Sequence, residues 1–274
     1  TGANGFIGSH LTQKLVALGA DVSAMTKGGV QSLKILKDKV KIIRHDLNSA
    51  NKPIDLEFDA IFHLAALTDL RICSENPFLA YKTNVLGTLK LIEKYKRAGR
   101  FILISTLGVY GEPIYLPIDE NHPALPIEPY AASKAAAESV AMGICSSKKI
   151  SYAIARLFNV YGPRQRNDFV IPRIINQALA KNEVTLKNCN STRDFIYIDD
   201  VTDALIKIYT KGADGIYNVG SGKETSVLEL AGIIQKYLNK KIDFKFVEEM
   251  ESVHVQRSLA DIKKIKRDVG WNPS

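Results

Sequence analysis

Tyr130 and Lys134 stand four residues apart in Pro-Tyr-Ala-Ala-Ser-Lys, a spacing that puts both side chains on one face at the start of a helix. A phenol with a pKa of about 10 is a poor base at neutral pH, and a nearby positive charge favours its ionised form. Such a pair can take a proton from a hydroxyl and return it. The same spacing also arises by chance on exposed helices, so the rest of the chain has to decide.

A second candidate lies at the first residues. Gly2, Gly5 and Gly8 occur as Thr-Gly-Ala-Asn-Gly-Phe-Ile-Gly, just before a segment with Leu11, Leu15 and Leu18 at helical spacing. Glycines permit a tight turn and a close backbone approach, and a helix N-terminus attracts a pyrophosphate. Taken alone the triplet is equally a plain turn.

A dinucleotide site of this kind usually places an acid about 20 residues on, to bind the adenosine ribose. Here that place holds Met25, Thr26 and Lys27. Thr26 offers no repulsion to a ribose 2′-phosphate and Lys27 offers it a positive charge, which tilts the cofactor from NAD towards NADP. Lys27 is otherwise a solvated loop lysine. Asp46, in Arg-His-Asp-Leu, either accepts from an adenine amino group or caps a turn.

The elements that would carry these residues alternate. A helix is predicted from Gly8 to Leu18, strands at Val22 to Met25, Val40 to His45, Ala60 to Leu64, Phe101 to Ser105 and Tyr152 to Leu157, and helices at Phe78 to Lys96 and Tyr130 to Cys145. Strand and helix in turn predict a Rossmann-type α/β fold, a doubly wound parallel sheet. After Gly162 the pattern loosens, with helices predicted at Pro172 to Ala180, Val201 to Tyr209 and Val227 to Leu238 and a short strand at Ile216 to Val219. The expected organisation is a dinucleotide-binding domain over 1–160 and a smaller C-terminal α/β substrate lobe over 161–274, some of whose segments return to the main sheet. A glycine loop of this type normally follows a buried strand and none precedes Thr1, so the first strand is expected to be absent and the sequence to be a fragment.

Composition narrows the class. The 274 residues are 46% hydrophobic and 24% charged, as expected of a globular protein with a full core. The net charge of +8 comes from lysines and arginines scattered along the chain, a solvated surface more than a nucleic-acid site. Cys73, Cys145 and Cys189 are too few and too far apart for a disulfide framework or a zinc site. No apolar run approaches the roughly 20 residues that span a bilayer. A cytoplasmic protein without metal, membrane or nucleic-acid partners is expected.

Further motifs follow in order: His63-Leu64-Ala65-Ala66, Asn84-Val-Leu-Gly-Thr88, Ser105-Thr106 before Val109-Tyr110-Gly111, Arg156-Leu-Phe-Asn159-Val-Tyr-Gly-Pro-Arg164, Arg193-Asp194-Phe195-Ile-Tyr-Ile-Asp199, Tyr217-Asn218-Val-Gly220 and Gly270-Trp-Asn-Pro. Together with the glycine loop and the Tyr130, Lys134 pair, they resemble the extended short-chain dehydrogenase/reductases, in the branch called NAD-dependent epimerase/dehydratase. The resemblance runs through nearly the whole chain.

That resemblance implies roles. Thr106 would bind the reacting sugar oxygen, Tyr130 would be the general acid/base, and Lys134 would hold the nicotinamide ribose. The NAD or NADP site would comprise Gly2, Asn4, Gly5, Phe6, Ile7, Gly8, Thr26, Lys27, Asp46, Leu47, Leu64, Ala65, Ala66, Tyr130 and Lys134. Asn159 and Arg193 would hold a nucleotide diphosphate; their other readings are a turn cap and a surface ion pair. His63 would pack against the dinucleotide without catalysing, Asn84 would tie a helix to a neighbouring strand, and Tyr110 would line the sugar pocket or only pack. The helices at Phe78 to Lys96 and Tyr130 to Cys145 would pair across a two-fold axis in a homodimer.

Two departures bear on the reaction. Dehydratases of the family carry an acidic pair or Ser-Glu after the catalytic Thr, where this chain has Leu107 and Gly108. That counts against 4,6-dehydration and leaves epimerisation through a transient ketone or reduction of a 4-keto sugar, of which the expected activity is a nucleotide-sugar epimerase like the UDP-glucose 4-epimerases. The alternatives are an NADPH-dependent reductase of nucleotide 4-keto-6-deoxysugars and a dinucleotide-binding regulator without chemistry. The second departure is Glu251, which falls where relatives place a phosphate-clamping arginine; either Arg257 substitutes, the match slips, or the substrate is unusual.

Overall fold

The computed structural model describes residues 1–36, 38–49, 57–94, 98–247 and 255–274. The glycine loop leads into α1 (Phe6–Ala17), after which β1 (Ser23–Thr26) and β2 (Lys41–Arg44) pair in parallel. Then come β3 (Phe58–His63), α2 (Leu70–Glu75), α3 (Pro77–Tyr81), a widened π turn at Lys82–Leu86, α4 (Gly87–Lys94), β4 (Ala98–Thr106), α5 (Pro129–Lys148), β5 (Ser151–Leu157) and β6 (Asn159–Tyr161). The C-terminal part holds α6 (Val170–Lys181), β7 (Glu183–Lys187), β8 (Thr192–Tyr197), α7 (Ile198–Thr210), β9 (Gly215–Val219), β10 (Glu224–Ser226), α8 (Val227–Leu238), β11 (Asp243–Val247) and α9 (Lys263–Val269).

The central sheet runs β3-β4-β5-β9, parallel throughout. Residues Thr1 to Ala3 lie between β3 and β1: Thr1 N donates to Phe62 O at 2.7 Å, Leu64 N to Thr1 O at 3.3 Å, and Ala3 N to Met25 O at 3.1 Å. The expected Rossmann-type layout is thus present, and the strand predicted at Ile216 to Val219 belongs to its main sheet, beside β5.

Runs such as Phe101 to Ile104 and Ala153 to Leu157 are buried on both faces, as strands covered by helices on each side must be. Against one face α5 brings Ala137, Ala141 and Cys145 onto Phe101, Leu103 and Ile154. Against the other, Leu11 of α1 and Val201, Ala204, Leu205 and Ile208 of α7 join Ile102 and Ala155. A smaller core under α6 and α8 packs Ile174, Ala178, Leu230 and Ile234 over Val184 and Leu186 of β7.

The helix predicted at Phe78 to Lys96 is broken. Pro77 starts α3 with Asn76 capping it, the backbone widens around Asn84, and α4 resumes at Gly87. The break has a tertiary cause: Asn84 is buried, its Oδ1 accepts from Leu67 N at 2.7 Å, and its Nδ2 donates to Leu67 O at 3.1 Å and Ser133 Oγ at 2.8 Å. It ties the loop after β3 to α5, beneath Tyr130.

Candidate active site

Parallel strands deliver their C-terminal ends to one edge of the sheet, where α/β proteins hold ligands. A cavity of about 1290 Å³ opens there. It is lined by the glycine loop, by Thr26 and Lys27 after β1, by Asp46 and Leu47 after β2, by Leu64 to Ala66 after β3, by Thr106 at the end of β4, and by Tyr130 and Lys134 in the first turns of α5. Asn159 and Arg193 line its far side.

The loop leaves no room for side chains. A Cβ on Gly2, whose φ is +69°, would come within 2.7 Å of Ala65 N, and one on Gly8 within 2.2 Å of Gly2 O. Phe6, Ile7 and Gly8 thereby present the first-turn amides of α1 to the cavity, and Gly5 as N-cap brings no side-chain cap to cover them. Ser105 Oγ, beside Thr106 at the other end, is buried in the cavity wall with no protein partner. A bare-backbone cradle at one end and an orphaned hydroxyl at the other fit a dinucleotide laid across the strand ends. Asn4 turns its side chain to the protein, accepting from Ser32 N at 2.9 Å.

Beyond β1 and β2, where the sequence places an adenosine, Lys27 Nζ lies 3.1 Å from Asp46 Oδ2, and Asn48 N donates to Asp46 Oδ1 at 2.9 Å. Partial burial works to raise the Asp46 carboxyl, but the Asn48 amide and Lys27 together hold it below its ordinary value. Lys27 is thus an ion-paired lysine and not an uncommitted cation.

At the reacting end, burial raises the Tyr130 phenol above its ordinary pKa; Cys73 and Glu128 raise it further, and a hydrogen bond with Thr106 works against them. Thr106 caps the turn at Leu107–Tyr110, accepting from Gly108 N at 3.2 Å. His63 is fully enclosed and bonds Thr1 Oγ1 at 2.7 Å and Thr88 Oγ1 at 2.9 Å. Burial and then Lys134 hold it well below its usual pKa, so it is a neutral scaffold residue, in keeping with a non-catalytic role. Tyr110 is buried, with its hydroxyl 2.6 Å from Asn218 Oδ1, and packs without reaching the cavity.

Burial pulls the Lys134 ammonium from 10.5 down to about 8, with Glu138 working to raise it. The folded state therefore binds this proton less tightly than the unfolded chain, so stability rises with pH between about 8 and 10.5. At pH 7 the buried charge opposes folding by about 3 kcal/mol. Lys134→Met is expected to raise the urea midpoint of the cofactor-free protein at pH 7, with the gain fading towards pH 10, while turnover is lost. A variant less stable than wild type at pH 7 would overturn this.

On the far side of the cavity, Asn159 Nδ2 donates to Asp194 O at 3.2 Å, and Arg193 donates to Thr192 O at 2.8 Å and Gln256 O at 3.1 Å. Asp194 accepts from Ser221 N and Oγ, Gly222 N and Ala260 N, which fixes β8 to two neighbouring loops. Arg257 departs from expectation: it is absent from the cavity wall and makes a two-pronged pair with Glu224 at 2.9 and 2.8 Å. Its carboxylate partner lies 33 residues earlier, which spacing cannot reveal. Glu251 lies outside the described residues.

Spacing also leaves hidden the side-chain contacts of the cavity-lining segment after Pro163. Arg164 reaches Gln13 of α1 at 3.0 Å, and Arg166 pairs with Asp168 and with Asp69, the N-cap of α2, at 3.5 Å. The one available signal is the alternation Arg-Gln-Arg after Gly162-Pro163.

Comparison with known proteins agrees with this geometry. The profile of the family described as GDP-mannose 4,6 dehydratase matches residues 1–274. A putative UDP-glucose 4-epimerase of Methanocaldococcus jannaschii is 34% identical, over all of this chain and 92% of that protein. The UDP-glucuronic acid decarboxylase 3 of Arabidopsis thaliana is also 34% identical, over all of this chain and 83% of that protein. A UDP-glucuronic acid 4-epimerase from Bacillus cereus, solved with UDP-glucuronic acid and NAD, superimposes with a TM-score of 0.89 at 28% identity, over all of this chain and 92% of that one.

Proposed function

We propose that this chain, which belongs to the GDP-mannose 4,6 dehydratase family within the extended short-chain dehydrogenase/reductases, is a nucleotide-sugar 4-epimerase working on a UDP-sugar with NAD. Membership makes it an NAD-dependent nucleotide-sugar enzyme; a regulator without chemistry is set aside. The epimerase reading is carried by one observation. Leu107 and Gly108 follow Thr106 and both line the cavity, with Gly108 packed towards Ala131, so these two positions offer neither an acid nor a base for eliminating water.

The chain's own residues suffice for epimerisation. When bound, NAD supplies a carbon that takes a hydride from the sugar and gives it back. Thr106 holds the sugar oxygen beside the Tyr130 phenol. Tyr130 takes the hydroxyl proton as the carbonyl forms and returns it when the alcohol is restored with opposite configuration. Lys134 holds the ribose and adds the positive charge that favours the phenolate. Asn159 and Arg193 orient the diphosphate. The glycine loop, Thr26, Lys27, Asp46, Leu47 and Leu64 to Ala66 seat the dinucleotide.

The reductase alternative rested on Lys27 welcoming NADP, and the Lys27–Asp46 ion pair weakens that support. The proposal also includes a division of labour near residue 160 and a homodimer through α3, α4 and α5, where Phe78, Tyr81 and Leu86 are exposed. It includes a cytoplasmic location, in keeping with three unpaired cysteines. Among the described residues no helix is long and apolar enough to cross a membrane.

The test is direct. Purified protein incubated with NAD and UDP-glucose, UDP-N-acetylglucosamine or UDP-glucuronic acid should form the 4-epimer of one of them without net NADH, as read by chromatography and proton NMR. A 4-keto-6-deoxy product, loss of carbon dioxide, or net NADPH consumption with a keto-sugar would sink the reading.

A further inference from the structure

We propose that the Lys27–Asp46 ion pair selects the cofactor, withholding Lys27 from a ribose 2′-phosphate and so making the chain prefer NAD(H) to NADP(H). This rests on the dinucleotide site described above and concerns its adenosine end. The side chain that would normally repel a 2′-phosphate is missing: Thr26 ends β1, and its hydroxyl is turned to Gly29 O at 3.3 Å. On sequence spacing alone Lys27 would therefore favour NADP.

Asp46 reverses that expectation. Its backbone is fixed beside β1, because His45 N donates to Thr26 O at 3.0 Å, and its Oδ1 is fixed by Asn48 N at 2.9 Å. The carboxylate stays where the turn puts it, and the Lys27 side chain, 74% exposed, comes to it at 3.1 Å. Among the described residues that line the cavity, the other cations, Arg71, Lys134, Arg164, Arg166 and Arg193, belong to its reacting and substrate sides. His45 lines the adenosine end, but burial, with Lys94 and Lys90, lowers its pKa, so it is neutral at pH 7. In the cavity wall at this end the charged groups are thus Lys27 and Asp46, a pair of zero net charge, with Lys90 and Lys94 acting on His45 from outside the wall. A 2′-phosphate approaching Lys27 meets a fixed carboxylate within a few ångströms, and the repulsion offsets the attraction. An unphosphorylated ribose loses nothing there. Water screens a pair this exposed, so the selection should be tens-fold at most.

The test is dinucleotide binding, read by NADH and NADPH fluorescence titration. Wild type should bind NADH about ten-fold more tightly than NADPH. Asp46→Asn keeps an acceptor for Asn48 N while removing the charge. It should shift the ratio towards NADPH by about ten-fold or more, mainly through tighter NADPH binding, and adding Lys27→Ala should abolish that gain. Lys27→Ala alone, at an exposed position that puts folding at no risk, should weaken NADPH by about ten-fold more than it weakens NADH. A wild-type preference for NADPH, a ratio unchanged by Asp46→Asn, or equal weakening of both cofactors by Lys27→Ala would overturn the proposal. Failure to bind either dinucleotide would instead sink the cofactor reading itself.

Discussion

Tyr130→Phe should lower kcat by about 10³-fold while leaving NADH and UDP affinities within about two-fold of wild type. The change removes one oxygen from a side chain held in place by α5, so the ring keeps its packing and the cavity keeps its shape. What disappears is the group that accepts and returns the hydroxyl proton. Thr106 cannot replace it, since an alcohol is a far weaker base than a phenolate. Thr106→Val should cost only about ten- to a hundred-fold, because it removes an orienting hydrogen bond and leaves the proton carrier. Single-turnover and steady-state kinetics with matched binding titrations separate the two. Retention of a tenth of wild-type kcat by the phenylalanine variant would mean that another group carries the proton.

The protein's own surroundings add a constraint. Burial first, then Cys73 and Glu128, keep the phenol protonated at neutral pH. Activation would therefore draw on Lys134 together with the positive charge that an oxidised nicotinamide would supply. The two groups are displaced in opposite senses by the same burial, Tyr130 upwards and Lys134 downwards, which carries their proton affinities apart and disfavours the phenolate–ammonium pair relative to water.

How much of this is legible in the sequence depends on whether the determinants are local. The helix predicted at Val227 to Leu238 has those bounds because Ser226 and Glu229 form a reciprocal capping box at its start. The strand ends that line the cavity are legible because a parallel sheet sends every strand's C-terminus to the same edge, so residues scattered from Thr26 to Asn159 can be gathered on paper. The π turn around Asn84 is invisible because its cause lies in Leu67 and Ser133. Strands β7, β8, β10 and β11 have three to six residues and carry too little period-two pattern to stand out from loops. Charge partners across long separations are hidden for the same reason. Asp46 commits Lys27, Glu224 takes Arg257 from the substrate side, and Asp69 meets Arg166 from 97 residues away.

Glu138→Ala should destabilise the fold by about 3–5 kcal/mol, the range for leaving one member of a buried ion pair alone, and lower the melting temperature by on the order of 10 °C. Glu138 lies one turn beyond Lys134 on α5 and is 2% exposed, and Arg156 on β5 is 4% exposed. Arg156 Nη2 and Nε donate to the Glu138 carboxylate at 2.6 and 3.1 Å, and the guanidinium lies 4.7 Å from the Tyr110 ring centroid. A guanidinium cannot shed its proton to escape burial, so the charge remains with only an aromatic face for company. Adding Arg156→Met should recover much of the loss, since burying neither charge is cheaper than burying one. Denaturation of the two single variants and the double variant completes the cycle; a double variant as unstable as the sum of the singles would refute the coupling. The consequence reaches the chemistry. This pair joins α5 to β5, and Glu138 also supports the Lys134 charge. Glu138→Gln, which keeps the shape and one acceptor, should therefore lose less stability than Glu138→Ala yet still weaken turnover, because the ammonium beside Tyr130 has lost its counter-charge.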